Sequence, residues 1–171
     1  SLHDALPIWL KNGRDWKSLP SGEVPVYGSG GEMGEFVSDY AYDKPTVLIP
    51  RKGSISNLFY LDKPFWNVDT IFYTEIDESQ IFPKFLFHFM KNFDLTTLST
   101  DSTRPSLTQT TLNKISIPLP SLNEQKRISN ILDKTKVTIE ENENLEWNEK
   151  IEDIEKEFCE MLERTRIRLT I

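Results

Sequence analysis

The chain lacks several features that mark common classes of protein. Its single cysteine, Cys159, excludes an internal disulfide framework and is typical of a reducing compartment. No apolar run reaches the roughly 18 residues that a membrane-spanning helix needs, so we expect no membrane partner. Lysine and arginine number 20 against 27 aspartates and glutamates, and the net charge of −7 argues against a surface that is basic throughout. Any binding site for nucleic acid must therefore be a local patch.

Motifs for catalysis are missing as well. The two histidines, His3 and His88, belong to no Cys/His cluster with zinc-ligand spacing, and no G-x-S-x-G nucleophile elbow occurs. The glycine-rich stretch that begins at Gly28 fails the dinucleotide-binding spacing G-x-G-x-x-G, because Met33 stands where the third glycine belongs. We therefore expect no metal, no cofactor and no catalytic residue, and we interpret His88 as a residue on a helix face.

Proline and glycine divide the chain into two parts. All ten prolines and all seven glycines lie at or before Pro120, and no helix breaker follows. This predicts an α+β fold, in which a small mixed or antiparallel β-sheet precedes one long C-terminal helix. Residue 1 is Ser rather than Met, and residues 1–8 lack helical or strand periodicity, so we expect a fragment with an added leader. The predicted organisation is a leader of doubtful origin (1–12), a globular domain (13–120), a long helix (121–165) and a tail (166–171).

Short apolar runs predict the elements of the globular domain. The run at 24–27 is expected to form an edge strand, because Pro25 cannot donate a ladder hydrogen bond. Pro83 is expected to open a helix whose aromatic residues recur at helical spacing, and Thr108 to cap a short helix. Further strands are predicted at 46–49, 55–61, 65–74 and 115–117.

The predicted long helix begins with a capping box formed by Ser121 and Glu124. Apolar or small residues then recur at steps of three and four, the spacing of a helix that lies along another helix. About 40 residues span roughly 60 Å, too far for the globular domain to cover. We therefore expect a helix of the full-length protein, or of another chain, to pair in a coiled-coil-like manner with Ile128, Leu132, Thr135, Ile139, Trp147, Ile151, Ile154, Phe158 and Met161.

Three polar loops carry hydrogen-bond donors beside glycine or proline. Residues 137–163 hold 11 acidic residues and two lysines and would repel phosphates, so a nucleic-acid site must lie in the first 120 residues. Arginine can bind a guanine edge, lysine reaches phosphates, and hydroxyl and backbone N–H groups bind phosphate oxygens. Arg51 and Lys52 are the strongest candidates because a strand and Pro50 aim them, although a solvated turn remains the alternative for every loop. The candidate DNA-binding residues are Ser29, Gly30, Gly31, Arg51, Lys52, Gly53, Ser54, Thr103, Arg104 and Ser106.

The order of several short motifs resembles one half of the specificity subunit of type I restriction–modification systems. The resemblance covers about residues 13–162 and includes the segment P-L-P-S-L-N-E-Q, which precedes the long helix. Other matching stretches lie at 19–22, 24–31, 47–54, 65–66, 69–70, 85–86 and 105–107. The order and spacing of these motifs carry the resemblance, because each motif alone is weak.

The resemblance implies that the globular domain is a target recognition domain that reads half of a bipartite double-stranded DNA sequence. It implies that the long helix is a spacer, which pairs with a second recognition half or a homodimer partner and docks methyltransferase subunits. Restriction subunits would join the same complex without binding this chain directly. Methylation and cleavage would belong to those subunits, in a prokaryotic cytoplasm, and this chain would be non-catalytic.

Two features of the chain leave alternatives open. The family has one or two strands ahead of the region that begins here at Gly13, so we expect an N-terminally incomplete domain. A helix-mediated assembly adaptor, or an inactive truncated subunit without DNA readout, is the main alternative. An enzyme domain that binds a small molecule or sugar is disfavoured by the failed motifs.

Overall fold

The computed structural model describes residues 7–99, 101, 103–141, 156, 160 and 169–170. Its helices are α1 (Pro83–Asn92), α2 (Gln109–Leu112) and α3 (Leu122–Glu141), with a 3-10 helix at Leu95–Leu98. None of the described helices is long and apolar enough to cross a membrane. The strands are β1 (Ile8–Asn12), β2 (Ser21–Gly28), β3 (Gly31–Val37), β4 (Thr46–Pro50), β5 (Phe59–Leu61), β6 (Trp66–Asn67), β7 (Ile71–Ile76), β8 (Ser116–Ile117) and β9 (Leu169–Thr170).

A four-stranded antiparallel sheet has the order β1-β7-β4-β5. All five residues of β4 are buried, as expected for an interior strand with apolar clusters on both faces. Val47 and Ile49 pack into the cluster that α1 covers, whereas Leu48 packs into the cluster on the opposite face. This alternation gives β4 a fixed register, and its last residue, Pro50, directly precedes the candidate loop that begins at Arg51.

A second sheet has the order β3-β2-β6, with β2 antiparallel to β3 and parallel to β6. β2 is therefore the central strand, and the prediction that it lies at an edge is wrong. The sheet accommodates Pro25 because the β2–β3 register shifts between Pro25 and Tyr27, and proline is tolerated at such irregularities.

The helices cover one face of the four-stranded sheet. α1 begins at Pro83 as predicted and buries Phe85, Leu86, Phe89 and Met90 in the main core. The predicted cap at Thr108 is confirmed, since its side chain accepts the Thr111 N–H and the two residues form a capping box. The resulting fold is mixed α+β with largely antiparallel sheets.

The structure also corrects several predicted boundaries. Residues 8–12, assigned to the leader, form β1, which pairs with β7 over five residues and buries Ile8. The region ahead of Gly13 thus supplies a strand of the core sheet. The predicted strand at 55–61 is limited to β5, and the one at 65–74 divides into β6 and β7. In the predicted tail, β9 pairs with β8.

The long helix is described only in its first part. α3 begins at Leu122, and Ser121 caps it by accepting the Glu124 N–H at 3.3 Å. The helix is described to Glu141, so its predicted continuation to 165 lies largely outside the described residues.

Candidate nucleic-acid interface

The turn between β6 and β7 brings two of the candidate loops together. The Ser29 N–H donates to the Thr70 hydroxyl at 3.2 Å, and the Arg51 N–H donates to the Thr70 carbonyl at 2.8 Å. Thr70 therefore contacts both the β2–β3 turn, at residues 29–30, and the end of β4. These two loops, which are separated in sequence, lie at the same edge of the molecule.

The third candidate loop pairs directly with the second. Lys52 and Ser106 form an antiparallel bridge, the Gly53 N–H donates to the Pro105 carbonyl at 3.1 Å, and the Leu107 N–H donates to the Arg51 carbonyl at 2.8 Å. A cavity of about 520 Å³ opens between the two segments, and we refer to it as the loop cleft. Its lining residues are Lys52, Gly53, Asp101, Thr103, Arg104, Pro105 and Ser106.

Arg51 is held by the fold on three sides. Its Nη1 donates to Asn12 Oδ1 at 3.3 Å and to the Asp69 carbonyl at 3.0 Å, and its guanidinium carbon lies 4.8 Å from the centre of the Phe72 ring. The Nε atom is buried and has no hydrogen-bond partner among the described residues. A guanidinium used in this way has little freedom to reach a base edge, so the geometry favours a positioning role for Arg51.

Lys52 and Arg104 are the exposed cations of the loop cleft. The turn that presents Arg104 is organised by Asp101, whose Oδ1 accepts the Thr103 N–H at 2.8 Å and the Arg104 N–H at 3.1 Å. These bonds, first from Arg104 and then from Thr103, lower the pKa of the Asp101 carboxyl below its ordinary 3.8. Asp101 is therefore ionised at neutral pH, and its contribution is to shape the turn.

At the β2–β3 turn, backbone groups rather than side chains are available to contact a ligand. Gly31 is buried with a φ of +107°, and a Cβ placed there would lie 3.3 Å from the Phe59 ring, so only glycine fits without strain. Gly30 has open space around it, and Ser29 is half-buried. Beyond the turn, β3 exposes Glu32 and Glu35, whose charge would repel phosphates.

The sequence analysis missed three residues of this edge. Asn12 fell within the presumed leader, although the apolar Ile8 and Leu10 ahead of it alternate as in a strand. The contact of Thr70 with Ser29 spans 41 residues and leaves no local sequence pattern. Asp101 accepts N–H groups two and three residues further on, and such an Asx-type turn could have been recognised from the sequence.

The predicted helix-pairing residues divide into three groups. Ile128 is buried and Leu132 half-buried, and both pack against the core of the same domain. Thr135 and Ile139 belong to α3, but their side chains are not described. The remaining predicted positions, Trp147, Ile151, Ile154, Phe158 and Met161, lie outside the described residues.

A polar cluster also joins α1 to α3. Lys84 Nζ lies 2.6 Å from Asp133 Oδ2, and His88 Nε2 lies 2.8 Å from Asp133 Oδ1. Burial alone would raise the pKa of the Asp133 carboxyl, but the hydrogen bonds and charges of Lys84 and His88 outweigh it, so this pKa lies below 3.8. His88 occupies a helix face as predicted, and no metal-binding cluster of acidic, His or Cys side chains occurs in the described part.

Comparisons with known proteins agree with this architecture. Three solved structures share the fold: an S subunit of a type I restriction–modification system from M. genitalium, the HsdS subunit from Thermoanaerobacter tengcongensis, and a chain from a study of type I R-M complex assembly. Their TM-scores are 0.62, 0.59 and 0.66, their sequence identities 18%, 15% and 15%, and they cover 82%, 87% and 93% of this chain. The chain in turn covers only 42%, 37% and 43% of them.

Sequence comparison gives the same assignment. A Haemophilus influenzae protein, named as a type I restriction enzyme specificity subunit (S.HindORF215P), is 29% identical over 117 residues, which are 66% of this chain and 30% of that protein. The chain thus spans less than half the length of these relatives. Residues 8–153 match the family described as type I restriction modification DNA specificity domain. The chain belongs to that family.

Proposed function

We propose that this chain is a non-catalytic DNA recognition module that reads half of a bipartite target within a type I restriction–modification complex. The observation that carries the proposal is the loop cleft, where two candidate loops from distant parts of the sequence meet and present Lys52 and Arg104 to solvent. An acidic chain needs such a local basic patch to approach DNA.

The geometry suggests different roles for the candidate residues. Lys52 binds a phosphate, because an ammonium is a compact charge on a flexible stem, and Arg104 binds a base edge through its planar guanidinium. Hydroxyl groups and exposed glycine backbone contribute further phosphate contacts, from Ser54, Thr103, Ser106, Gly30 and Gly53. Arg51, Ser29 and Gly31 hold the loops in place and act on DNA indirectly.

The rest of the proposed complex follows from the family. The chain works in a prokaryotic cytoplasm with methyltransferase subunits, which carry the chemistry, and with restriction subunits that join indirectly. α3, which is described to Glu141, is the proposed start of a spacer that pairs with the helix of a second recognition half or of a homodimer partner. The acidic residues of 137–163 would repel DNA, so we propose that this segment binds protein.

The test compares three alanine variants of this chain in complex with a type I methyltransferase subunit that co-purifies with it. Lys52→Ala is expected to weaken binding to all DNA sequences alike, and to reduce the slope of log affinity against log salt by about 1. Arg104→Ala is expected to reduce the preference for the target over other sequences by about 1–3 kcal/mol. Fluorescence anisotropy with target and scrambled duplexes measures both effects.

Lys63→Ala is the matched control for this experiment. Lys63 is exposed and follows β5, whose Leu61 pairs with Thr46 at the opposite end of β4 from Lys52. The substitution removes the same charge from the other end of the sheet and is expected to change neither slope nor preference. Wild-type binding with no preference for any sequence would contradict the proposed function, and unchanged binding by both cleft variants would exclude the loop cleft as the interface.

A further inference from the structure

The Gln125 side chain is fully buried in the first turn of α3 and forms hydrogen bonds with three backbone groups, two just ahead of α1 and one just ahead of α3. Its Oε1 accepts the Phe82 N–H at 2.8 Å, and its Nε2 donates to the Gln80 and Pro120 carbonyls, both at 2.9 Å. Phe82 is the N-cap residue of α1, whose side chain makes no capping bond. One amide therefore ties the start of α3 to the start of α1, with both of its N–H donors used.

A second polar contact lies two turns further along α3. Asp133 binds Lys84 and His88, which stand four residues apart on one face of α1. The eight residues from Gln125 to Asp133 correspond to about 12 Å along the helix axis. The two contacts therefore hold α3 at two separated points, and two points on a rigid rod define its direction.

Between these points the two helices meet through apolar packing. Ile128 is buried in the core, and Leu132 packs against the same cluster. Apolar contacts are non-directional and tolerate small shifts, whereas hydrogen bonds require specific distances and angles. Buried polar groups are best attested as devices that fix register.

We propose that Gln125 and Asp133 are positioning residues that set the direction in which α3 leaves the recognition domain, and so the separation at which two DNA half-sites are read. The proposal rests on the proposed function. α3 is about 30 Å long over its 20 residues. A tilt of roughly 6–7° at its base would displace its far end by about 3.4 Å, the rise of one base step. Loss of either contact would therefore allow the attached half to move by a distance comparable to one base step, which is enough to misalign a half-site.

The experiment measures methylation of duplexes that differ only in spacing. The complex with the methyltransferase subunit is given the mapped target sequence at its native half-site separation, and the same sequence with one base pair inserted or deleted. Gln125→Met keeps the side-chain volume but removes the amide, and Asp133→Ala removes the second contact. Each is expected to lower the ratio of methylation rates, native over shifted spacing, by about tenfold. Asn130→Ala, at an exposed position of α3 between the two contacts, is the control and is expected to keep the wild-type ratio.

The ratio separates positioning from simple destabilisation. A variant that merely folds less well loses activity at every spacing by the same factor, and such an equal loss, up to complete loss, would contradict the inference. If Gln125→Met fails to fold, the test rests on Asp133→Ala, which is expected to fold because Asp133 is half-exposed and its substitution removes no core group. An unchanged ratio overturns the positioning role alone, whereas a wild-type complex that methylates no bipartite sequence overturns the proposed function as well.

Discussion

Arg51 and Lys52 are neighbours in sequence, yet the structure predicts that their alanine variants behave differently. Two hydrogen bonds from the Arg51 guanidinium contribute about 0.5–1.5 kcal/mol each, and its contact with the Phe72 ring adds about 0.5–1 kcal/mol. The bond to Asn12 is long and exposed, so we expect Arg51→Ala to lower the free energy of unfolding by about 2 kcal/mol. For a chain of this size that corresponds to a fall in Tm of about 4–8 °C.

Lys52→Ala removes an exposed side chain and is expected to change the free energy of unfolding by less than about 0.5 kcal/mol. Urea denaturation measures both values, and the same variants are tested for DNA affinity at one salt concentration. The expected pattern is a stability defect in Arg51→Ala and an affinity defect without instability in Lys52→Ala. Loss of affinity in Arg51→Ala with wild-type stability would refute the reasoning, because it would make Arg51 a direct DNA contact.

Two further predictions follow from local geometry. Gly31→Ala is expected to destabilise the chain by about 1–3 kcal/mol, because the residue has a positive φ and faces the Phe59 ring. Gly30 has open space around it, so Gly30→Ala is expected to change the free energy of unfolding by less than about 0.5 kcal/mol. Thermal unfolding of the two variants measures the difference, and equal effects would contradict the prediction. The pKa of Asp133 is lowered in the folded state, so its ionised carboxylate stabilises the fold fully above the unfolded pKa of 3.8, and this contribution is lost as pH falls through the folded pKa. The difference in unfolding free energy between wild type and Asp133→Asn should therefore shrink between pH 5 and pH 3. A difference that grows over this range would contradict the assignment.

Elements with strong local signals could be predicted from the sequence. The run at 46–49 is apolar and ends at a proline, and it forms β4 with one additional residue. Pro83 and Thr108 mark helix starts by mechanisms that act within a single turn, and both predictions are confirmed. The two-part composition likewise separates the sheet-rich domain from α3.

Features that depend on tertiary partners could not be predicted. β1 was missed because it adjoins an unpatterned start, and its role depends on pairing with β7, whose residues lie 60 to 68 positions later. Pro25 suggested an edge strand, but a register shift allows it in the central strand of the sheet. The sequence placed Arg51 among the candidates without revealing that Asn12, Asp69 and Phe72 hold it. It also left no sign that the Gln125 side chain links the start of α3 to the segment just ahead of α1.

The most direct test of the account is a map of methylated adenines in cells that express this chain together with a type I methyltransferase subunit that co-purifies with it. The account predicts methylation at one defined bipartite sequence, which is lost when this chain is omitted and is altered by Arg104→Ala. A palindromic sequence would indicate a dimer of identical recognition halves, and an asymmetric one a second, different half. Co-purification of the two subunits without any sequence-defined methylation would contradict the claim that this chain reads DNA.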